Sequence, residues 1–487
     1  MKTKTTSKKG KRNSQNSYSR PLVSLDRPSE MTGHGGLALL HRLAGRVGFA
    51  RHVDENVSVL KIHQGYTESD HLFNLVSTLF AGGNRIEDVS VLQADTAYRS
   101  LLQAERISDP TTLGDFLRRF KKEDVNDLRQ AMFAMQAAAW KKLGRKHRRR
   151  ASVDLDSTIK EVYGDKKEGT DFSYNKVFGY HPEFLTLAET HEWLDGVNRS
   201  GNESSGSSAV ALLRANLPRV KEYFSEVCVR GDRAFGKGDI IDCCMEHDVR
   251  FCLGWSSHQS WVEDAELLPK SHWLELNRRQ HVGQPGKARK RRRKRANVRR
   301  QKVKERGYKE KRLKQEWVAE LPYPSLWNEH PRKFQRPCRM VVIRKQIEVA
   351  GKTGLFDLYD YSFIITDLMD DSLASVVNYY YQRDNQENLI EQGKNGIGAF
   401  TMPTGQLLAN EVFMLAGMLA HNFKSWLCLL ALGKEKVYWE WKRFRFHFVN
   451  VLIRVTRGGR RVHQHIVPSP QATRIIDALT TLGGIRC

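Results

Sequence analysis

Two short strand-like segments, each with an aspartate at or near its end, restrict the fold of this chain more than any other feature. Residues 151–158 alternate as a β-strand does, which puts Asp154 and Asp156 on one face. Residues 226–232 form a second predicted strand, which ends at Asp232. An acid at a strand end beside hydroxyl groups often supplies a metal ligand, although for the first segment alone an aspartate that caps a turn is the more common arrangement.

The segments around these two strands alternate between strand and helix patterns. Strands are predicted at 184–188 and 249–255, and helices are predicted at 209–224 and 239–247. Such an alternation is typical of an α/β sheet that is covered by helices. We therefore expect an α/β core over residues 145–255.

A third acid lies much later in the chain, in a stretch with helical spacing. Relative to Tyr380, the residues Arg383, Glu387 and Lys394 are at offsets of 3, 7 and 14. At about 100° per residue, the four side chains share a stripe about 60° wide on a helix. A carboxylate between two cations and a phenol suits a metal ion beside a phosphate. The alternative is an exposed helix with an ordinary Arg–Glu salt bridge.

The charge of the chain predicts a polyanionic partner. The formal net charge is +25, which favours nucleic acid ahead of a membrane surface. The alternative is a basic ribosome-associated or merely soluble protein, and charge alone does not choose between them. Residues 287–314 contain 17 Lys and Arg against two Glu, a difference of +15. A run of this kind is either solvated or binds nucleic acid, and its density favours DNA. The candidate DNA contacts within it are Arg291, Arg292 and Arg293.

The cysteines and the apolar runs indicate a reduced compartment and no membrane span. Seven cysteines are present without a Cys-x-x-Cys motif, as is usual in cytoplasmic proteins. The first twenty residues are polar and unlike a signal peptide, and the longest apolar run, 412–420, is too short to cross a bilayer. The irregular spacing of Cys243, Cys244, His247 and Cys252 favours buried cysteines over a zinc site.

These patterns divide the chain into six segments. They are a basic, disordered tail at 1–30, a helical candidate DNA-binding domain at 31–144, the first part of the core at 145–255, a basic insertion at 256–360, the second part of the core at 361–432, and C-terminal strands and a helix at 433–487. The tail either contacts DNA phosphates or only aids solubility.

The order strand–Asp, strand–Asp, helix–Glu resembles the ribonuclease H-like fold, and residues 150–430 resemble the DDE transposases of bacterial insertion sequences. Tyr380, Arg383, Glu387 and Lys394 match the Tyr-x2-Arg-x3-Glu-x6-Lys signature of the insertion sequence 4 superfamily. The first acid of that group is followed by Ser-Thr, which favours Asp156 over Asp154.

Further motifs extend this resemblance. Asp232 lies in Arg-Gly-Asp-Arg-Ala-Phe, as in the insertion sequence 4 superfamily. Tyr174, the Tyr-His-Pro at 180–182 and the Arg-x-Gly-Asn at 199–202 resemble the insertion sequence 1380 family in particular.

The resemblance implies an α/β, ribonuclease H-like mixed-sheet catalytic core that is interrupted by an insertion and preceded by a helical domain. The implied catalytic acids, which would also hold two Mg²⁺ or Mn²⁺ ions, are Asp156, Asp232 and Glu387. The implied contacts to the DNA end are Tyr380, Arg383 and Lys394.

The implied activity is cut-and-paste transposition of an insertion sequence. Two-metal phosphodiester hydrolysis and strand transfer would take place at its terminal inverted repeats. The implied partners are double-stranded repeat and target DNA and a second copy of the chain, in the bacterial cytoplasm at the nucleoid. Two alternatives stay open: a nuclease of the same fold that cuts without joining, and an inactive copy that binds DNA as a repressor.

Overall fold

The structure, a computed structural model, describes residues 30–63, 65–164, 166–276, 311–322, 336–349, 358–458 and 461–483. The tail 1–29 and the segment 277–310, with Arg291, Arg292 and Arg293, lie outside these residues. The DNA-binding predictions made for them therefore stay predictions.

Seven helices connect the short strand β1 (Met31–Thr32) to the central sheet. They are α1 (Leu37–Arg46), α2 (Phe49–Asn56), α3 (Glu68–Ala81), α4 (Val89–Ala94), α5 (Thr96–Leu102), α6 (Pro110–Arg118) and α7 (Lys122–Lys142). The side chains of Thr67, Asp95 and Asp109 accept backbone hydrogen bonds at the starts of α3, α5 and α6. Local capping residues therefore determine where these helices begin.

Fourteen further strands follow in the described residues, most of them in one large sheet. They are β2 (Arg150–Ser157), β3 (Lys160–Glu161), β4 (Asp171–Phe172), β5 (Phe178–Tyr180), β6 (Glu183–Leu187), β7 (Glu192–Val197), β8 (Glu226–Gly231), β9 (Arg250–Trp255), β10 (Leu274–Glu275), β11 (Lys311–Leu321), β12 (Arg339–Val349), β13 (Leu358–Thr366), β14 (Ile453–Gly458) and β15 (Arg461–Ile466). The spatial order of the large sheet is β10-β11-β12-β13-β9-β8-β2-β6-β7.

The large sheet is mixed, with its parallel part at the centre. β2 pairs in parallel with β8, and β8 with β9, whereas the other neighbours are antiparallel. Two small sheets, of order β3-β5-β4 and β1-β14-β15, complete the strands that the structure describes. A large mixed sheet of this kind is consistent with a ribonuclease H-like core, as the motif order predicts.

The remaining helices cover the sheet and link it to the N-terminal helices. They are α8 (Ala209–Lys221), α9 (Gly238–Glu246), α10 (Gln259–Leu267), α11 (Leu373–Tyr381), α12 (Asp384–Glu391), α13 (Leu407–Leu427), α14 (Trp441–Phe444) and α15 (Ala472–Thr481). Apolar residues of α8 and α9 pack against one face of the sheet, and those of α11 pack against the other.

The described part of 256–360 extends the same sheet rather than forming a separate layer. β11, β12 and β13 pair antiparallel in sequence order, and β13 pairs with β9 of the central part. The sequence predicts two strands, at 355–359 and 361–367. In the described residues, 358–366 form one continuous strand, β13. The reason is that Tyr359, Asp360 and Tyr361 all continue the ladder with β12.

The segment before β14 differs from the expectation of strands at 437–467. Its first part forms α14 and a π turn at Arg445–Val449. Trp441, Phe444 and Phe448, at helical spacing, are buried in the core shared with the N-terminal helices. This packing selects the helical conformation over the extended one that the aromatic composition favours.

The helix α13 lies at the centre of the hydrophobic core that the N-terminal helices share with the edge of the sheet. The run Leu407–Leu432 is long and apolar enough to cross a membrane by length and composition, yet 83% of its most apolar window is buried inside the protein. It packs against α1, α3, α6, α7 and the edge strand β7. A helix that is apolar all round is expected at such a position in a protein core.

Asn422 on α13 provides a test of this attachment. Its Oδ1 accepts a hydrogen bond from Trp193 N–H on β7 and its Nδ2 donates to Trp193 O, both at 2.8 Å. We expect Asn422→Ala to lower the free energy of unfolding by about 2 kcal/mol, because a buried edge-strand N–H loses its acceptor. Urea denaturation measures the change. Asn56→Ala, at an exposed asparagine, should stay within about 0.5 kcal/mol, and equal effects of the two variants would contradict the prediction.

Candidate active site

The ends of two neighbouring parallel strands bring Asp156 and Asp232 to one edge of the sheet. β2 and β8 pair in register, with Leu155 opposite Gly231. The next residue in each segment is the acid, and parallel strands end at the same edge. The two predicted strand-end acids, 76 positions apart in the chain, are thus brought together by backbone pairing.

Hydrogen bonds orient both carboxylates. Asp156 Oδ1 accepts from the Ser157 N–H at 2.8 Å, and the Ser157 hydroxyl lies 3.0 Å from Nε2 of the buried His181. Asp232 Oδ1 accepts from the Ala234 N–H at 2.8 Å, which caps the short 3₁₀ turn after β8. Neither carboxylate therefore rotates freely.

The segment 380–394 is not the single helix that its spacing predicts. α11 ends at Tyr381, α12 begins at Asp384, and a π turn, Gln392–Gly396, follows α12. At the first break the carbonyl of Tyr379 accepts a hydrogen bond from the buried guanidinium of Arg230 at 2.8 Å. The prediction of one continuous stripe is wrong, because a turn at 382–383 and the π turn interrupt the helix.

Arg383 lies at the break between α11 and α12 and points to the strand-end acids. Its Nη1 is 3.4 Å from Asp156 Oδ2, and both side chains are mostly buried. Arg383, Glu387 and Tyr380 line one cleft together with Asp232, with a volume of about 340 Å³. Three of the four residues of the helix signature therefore line the same cleft as Asp232.

Lys394 is placed differently from the other three residues of the signature. It lies in the π turn and does not line the cleft. Burial lowers the pKa of its ammonium, while Glu391 and Asp156 act to raise it. Lys394 is thus close enough to feel the charge of Asp156, but from outside the cleft.

Tyr380 is held against a glycine that sequence reasoning did not single out. A Cβ at Gly254 would lie 2.4 Å from the Tyr380 hydroxyl and 2.8 Å from the Arg233 backbone nitrogen. Burial raises the pKa of the phenol to about 12, so Tyr380 acts as a neutral hydrogen-bonding group. Gly254 at the end of β9 gives the ring its space, and no local sequence signal indicates this.

Asp154, the other acid on the same strand face, is occupied elsewhere. Arg230 Nε and Nη2 donate to its two carboxylate oxygens at 2.6 and 2.8 Å, and both residues are about 1% exposed. Arg230 lies two residues before Asp232, as Asp154 lies two before Asp156. The period of two along each strand is the sequence signal that could have identified this pair.

The electrostatic environment of Asp156 is unfavourable for its charge. Burial raises the pKa of this carboxyl to about 6, Asp232 and Asp154 add to the rise, and Arg383 opposes it. The pKa of Arg383 is itself raised, because Asp156, Tyr380 and Asp232 outweigh the effect of its burial. The carboxylates of Asp154 and Asp232 are therefore close enough to Asp156 to disfavour its ionisation.

The closeness of these carboxylates agrees in part with a divalent metal site. Carboxylate oxygens are the ligands that Mg²⁺ and Mn²⁺ prefer, and Asp156 and Asp232 influence each other across the strand edge. Within the residues that the structure describes, however, no group of three or more His, Cys, Asp or Glu is placed closely enough to hold an ion. The donor chemistry of the two strand-end acids fits a hard cation, whereas Glu387 would have to approach them.

Other predicted positions are structural or exposed. Arg199 forms a buried ion pair with Glu183 at 2.9 Å, and Tyr174 is 83% exposed. Cys243, Cys244 and Cys252 are buried.

A mixed sheet with two acids at a parallel strand edge is the arrangement of a ribonuclease H-like transposase core. A family model described as transposase DDE domain group 1 matches residues 19–483. The chain belongs to this family of DDE transposases.

Curated proteins and solved structures do not define the family further. No curated protein matches the chain. Among solved structures it is similar to a piggyBac transposase synaptic complex with hairpin DNA, at 12% identity over 80% of this chain and 74% of that one. The TM-score of 0.32 indicates only a weak structural similarity.

The raised pKa of Asp156 predicts a stability that depends on pH. A carboxyl whose pKa is about 6 in the folded chain and about 3.8 ordinarily gives stability that is fully present below about pH 4 and lost as the pH rises through 6. Asp156→Asn removes this dependence. In EDTA, between pH 4 and 7, the wild type should lose about 2–3 kcal/mol relative to the variant.

Urea denaturation at the two pH values measures this loss. Asp264→Asn, at an exposed aspartate of α10, controls for the removal of one negative charge. A wild-type-to-variant difference that is the same at pH 4 and pH 7 would show that burial does not disfavour the Asp156 carboxylate.

Proposed function

We propose that this transposase cleaves and joins phosphodiesters at the terminal inverted repeats of its own insertion sequence, by a cut-and-paste route. The catalytic acids are Asp156, Asp232 and Glu387. The observation that carries the proposal is the placement of Asp156 and Asp232 at adjacent parallel strand ends. Asp232 lines the cleft of Glu387 and Arg383, and Asp156 lies beside Arg383. The motifs support membership of the insertion sequence 4 superfamily and, within it, of the insertion sequence 1380 family.

The three acids are proposed to hold two Mg²⁺ or Mn²⁺ ions, which when bound activate the attacking oxygen and stabilise the leaving one. Asp156 and Asp232 would supply the fixed ligands, because backbone hydrogen bonds orient them. Glu387, which is exposed on α12, would supply the third ligand by reorienting its side chain.

Arg383, Tyr380 and Lys394 are proposed to bind the phosphates of the DNA end. A guanidinium pairs with phosphate by the same geometry as with carboxylate, so a phosphate in the cleft competes with Asp156 for Arg383. The neutral Tyr380 phenol can donate one hydrogen bond. Lys394, outside the cleft, would contact a phosphate farther along the strand.

The wider DNA contacts are proposed from charge. The net charge of +25 fits a long duplex partner, with Arg291, Arg292 and Arg293 and the basic tail as additional contacts. The helices between residues 31 and 144 are proposed to recognise the repeat. Joining two ends requires them to be held together, for which we propose a homodimer in the bacterial cytoplasm.

A strand-transfer assay tests the catalytic assignment. The substrate is a duplex that carries the terminal repeat of the encoding element, with Mg²⁺. Asp232→Ala and Glu387→Gln should each reduce cleavage and joining at least about 100-fold, because several kcal/mol of transition-state stabilisation is lost. Glu391→Gln, one turn later on the same helix and bonded to Asn395, is the matched control and should stay near wild type.

The outcomes separate the alternatives. If both acid variants cleave and join as the wild type does, the site assignment is wrong. A wild type that cuts without joining is a nuclease of the same fold. A wild type that binds the repeat without cutting is a repressor.

Arg383 gives a second test, of binding alone. In EDTA, Arg383→Gln should reduce the slope of log affinity for the repeat duplex against log salt by about 0.9, because one phosphate contact is lost. Fluorescence anisotropy across a salt series measures the slope. Arg214→Gln removes an arginine of α8 that pairs with Glu246, and it should leave the slope unchanged; a reduction as large as that of Arg383→Gln would exclude a specific contact.

A further inference from the structure

A buried ion pair lies directly behind the two strand-end acids. Asp154 on β2 and Arg230 on β8 face each other across the parallel ladder. Each lies two residues before an acid, Asp156 or Asp232, and therefore on the same side of its strand. The two nitrogens that Arg230 gives to Asp154 form a bidentate contact that fixes the side chains of the two strands to each other.

Arg230 of the pair also contacts α11, and the backbone of Asp154 contacts α12, the helix that carries Glu387. The third nitrogen of Arg230, Nη1, donates to the carbonyl of Tyr379 near the end of α11 at 2.8 Å. Gln386 on α12, the residue before Glu387, donates from Nε2 to the backbone carbonyl of Asp154 at 3.1 Å. The contacts of Asp154 and Arg230 thus reach all three elements that carry the proposed catalytic acids.

The aromatic ring of Tyr379 strengthens the same attachment. The guanidinium of Arg230 lies 4.7 Å from its centroid, and that of Arg150 lies 3.9 Å away on β2. The Tyr379 hydroxyl donates to Ser152 Oγ at 2.9 Å. Hydrogen bonds to charged groups and cation–π contacts together hold the end of α11 over β2 and β8.

Stability alone does not explain a buried pair at this position. Taking two charges out of water costs about as much as their attraction returns, and well-packed apolar side chains of similar volume are often as stable. What an apolar pair cannot do is donate to the carbonyl at the end of α11, where the last carbonyls of a helix lack partners within it. The pair is therefore better explained by its orienting α11 on the sheet than by a contribution to the stability of the fold.

We propose that Asp154 and Arg230 form a positioning clamp that sets the distance of Glu387 from Asp156 and Asp232. The clamp rests on the proposed function of those three acids. Its partners are positioning residues, because they act through the backbone of β2, β8, α11 and α12. Gln386 transmits the position of β2 to the residue next to Glu387.

The first test replaces the pair with apolar residues, Asp154→Leu with Arg230→Met. Thermal denaturation should show a folded variant. Amide hydrogen exchange of residues 373–391 should become at least tenfold faster, and the Mg²⁺ concentration for half-maximal cleavage of the repeat duplex should rise at least tenfold. A purely structural pair would leave the exchange and the Mg²⁺ requirement at their wild-type values, which would overturn the proposal.

A second variant keeps the proposal testable if the apolar pair does not fold. Gln386 is buried, and within the described residues its Oε1 has no hydrogen-bond partner. Gln386→Met therefore removes one hydrogen bond and one unsatisfied acceptor, so the fold should keep its thermal stability. Faster exchange of residues 384–391 and a raised Mg²⁺ requirement are expected, and wild-type values of both would refute the clamp.

The control is another buried contact between elements, Arg129 on α7 with Glu411 on α13 and Asp195 on β7. Arg129→Met with Glu411→Leu should change thermal stability without changing exchange at 373–391 or the Mg²⁺ requirement. The exchange measurement does not need cleavage. If the wild type fails to cleave, the proposed function fails, and unchanged exchange in the apolar variant would separately refute the clamp.

Discussion

The parallel, in-register pairing of β2 with β8 is the constraint on which the rest of the site depends. This pairing brings two acids that are far apart in the chain to the same edge of the sheet, where both strands end. Because side chains alternate along a strand, a slip of one residue would turn one acid to the opposite face. The bidentate contact between Asp154 and Arg230, one period earlier on the same two strands, favours the correct register.

Three carboxylates at this edge of the sheet lie near two largely buried guanidiniums. Asp154, Asp156 and Asp232 face the guanidiniums of Arg230 and Arg383, and burial makes the ionised form of Asp156 costly. Burying an ionised carboxylate costs stability, and such costs are common where polar groups are collected at one place in a fold. The helix break at Arg383 allows its guanidinium to reach the carboxylate of Asp156 from the end of α11.

Much of the fold follows from local patterns, and the departures have physical causes. The strands that begin near 226 and 250 and the capped helices of the N-terminal part follow alternation and capping residues, which are local properties. The segments 380–394 and 437–449 depart from their patterns because distant groups, among them Arg230 and the aromatic core around α13, interrupt or select a helix. Gly254 could not be identified as a partner of Tyr380, since their contact joins residues 126 positions apart.

The sequence by itself determined the acidic strand ends, the candidate helix of Glu387 and a strongly cationic chain. The first two depend on the order of neighbouring residues, and the third depends only on composition. The family follows from the order of those motifs. Only the tertiary structure decided that Arg230 binds Asp154, that Arg383 lies beside Asp156, and that Lys394 stands apart from Tyr380, Arg383 and Glu387. These outcomes depend on strand register and on helix breaks made by long-range contacts, which no local pattern encodes.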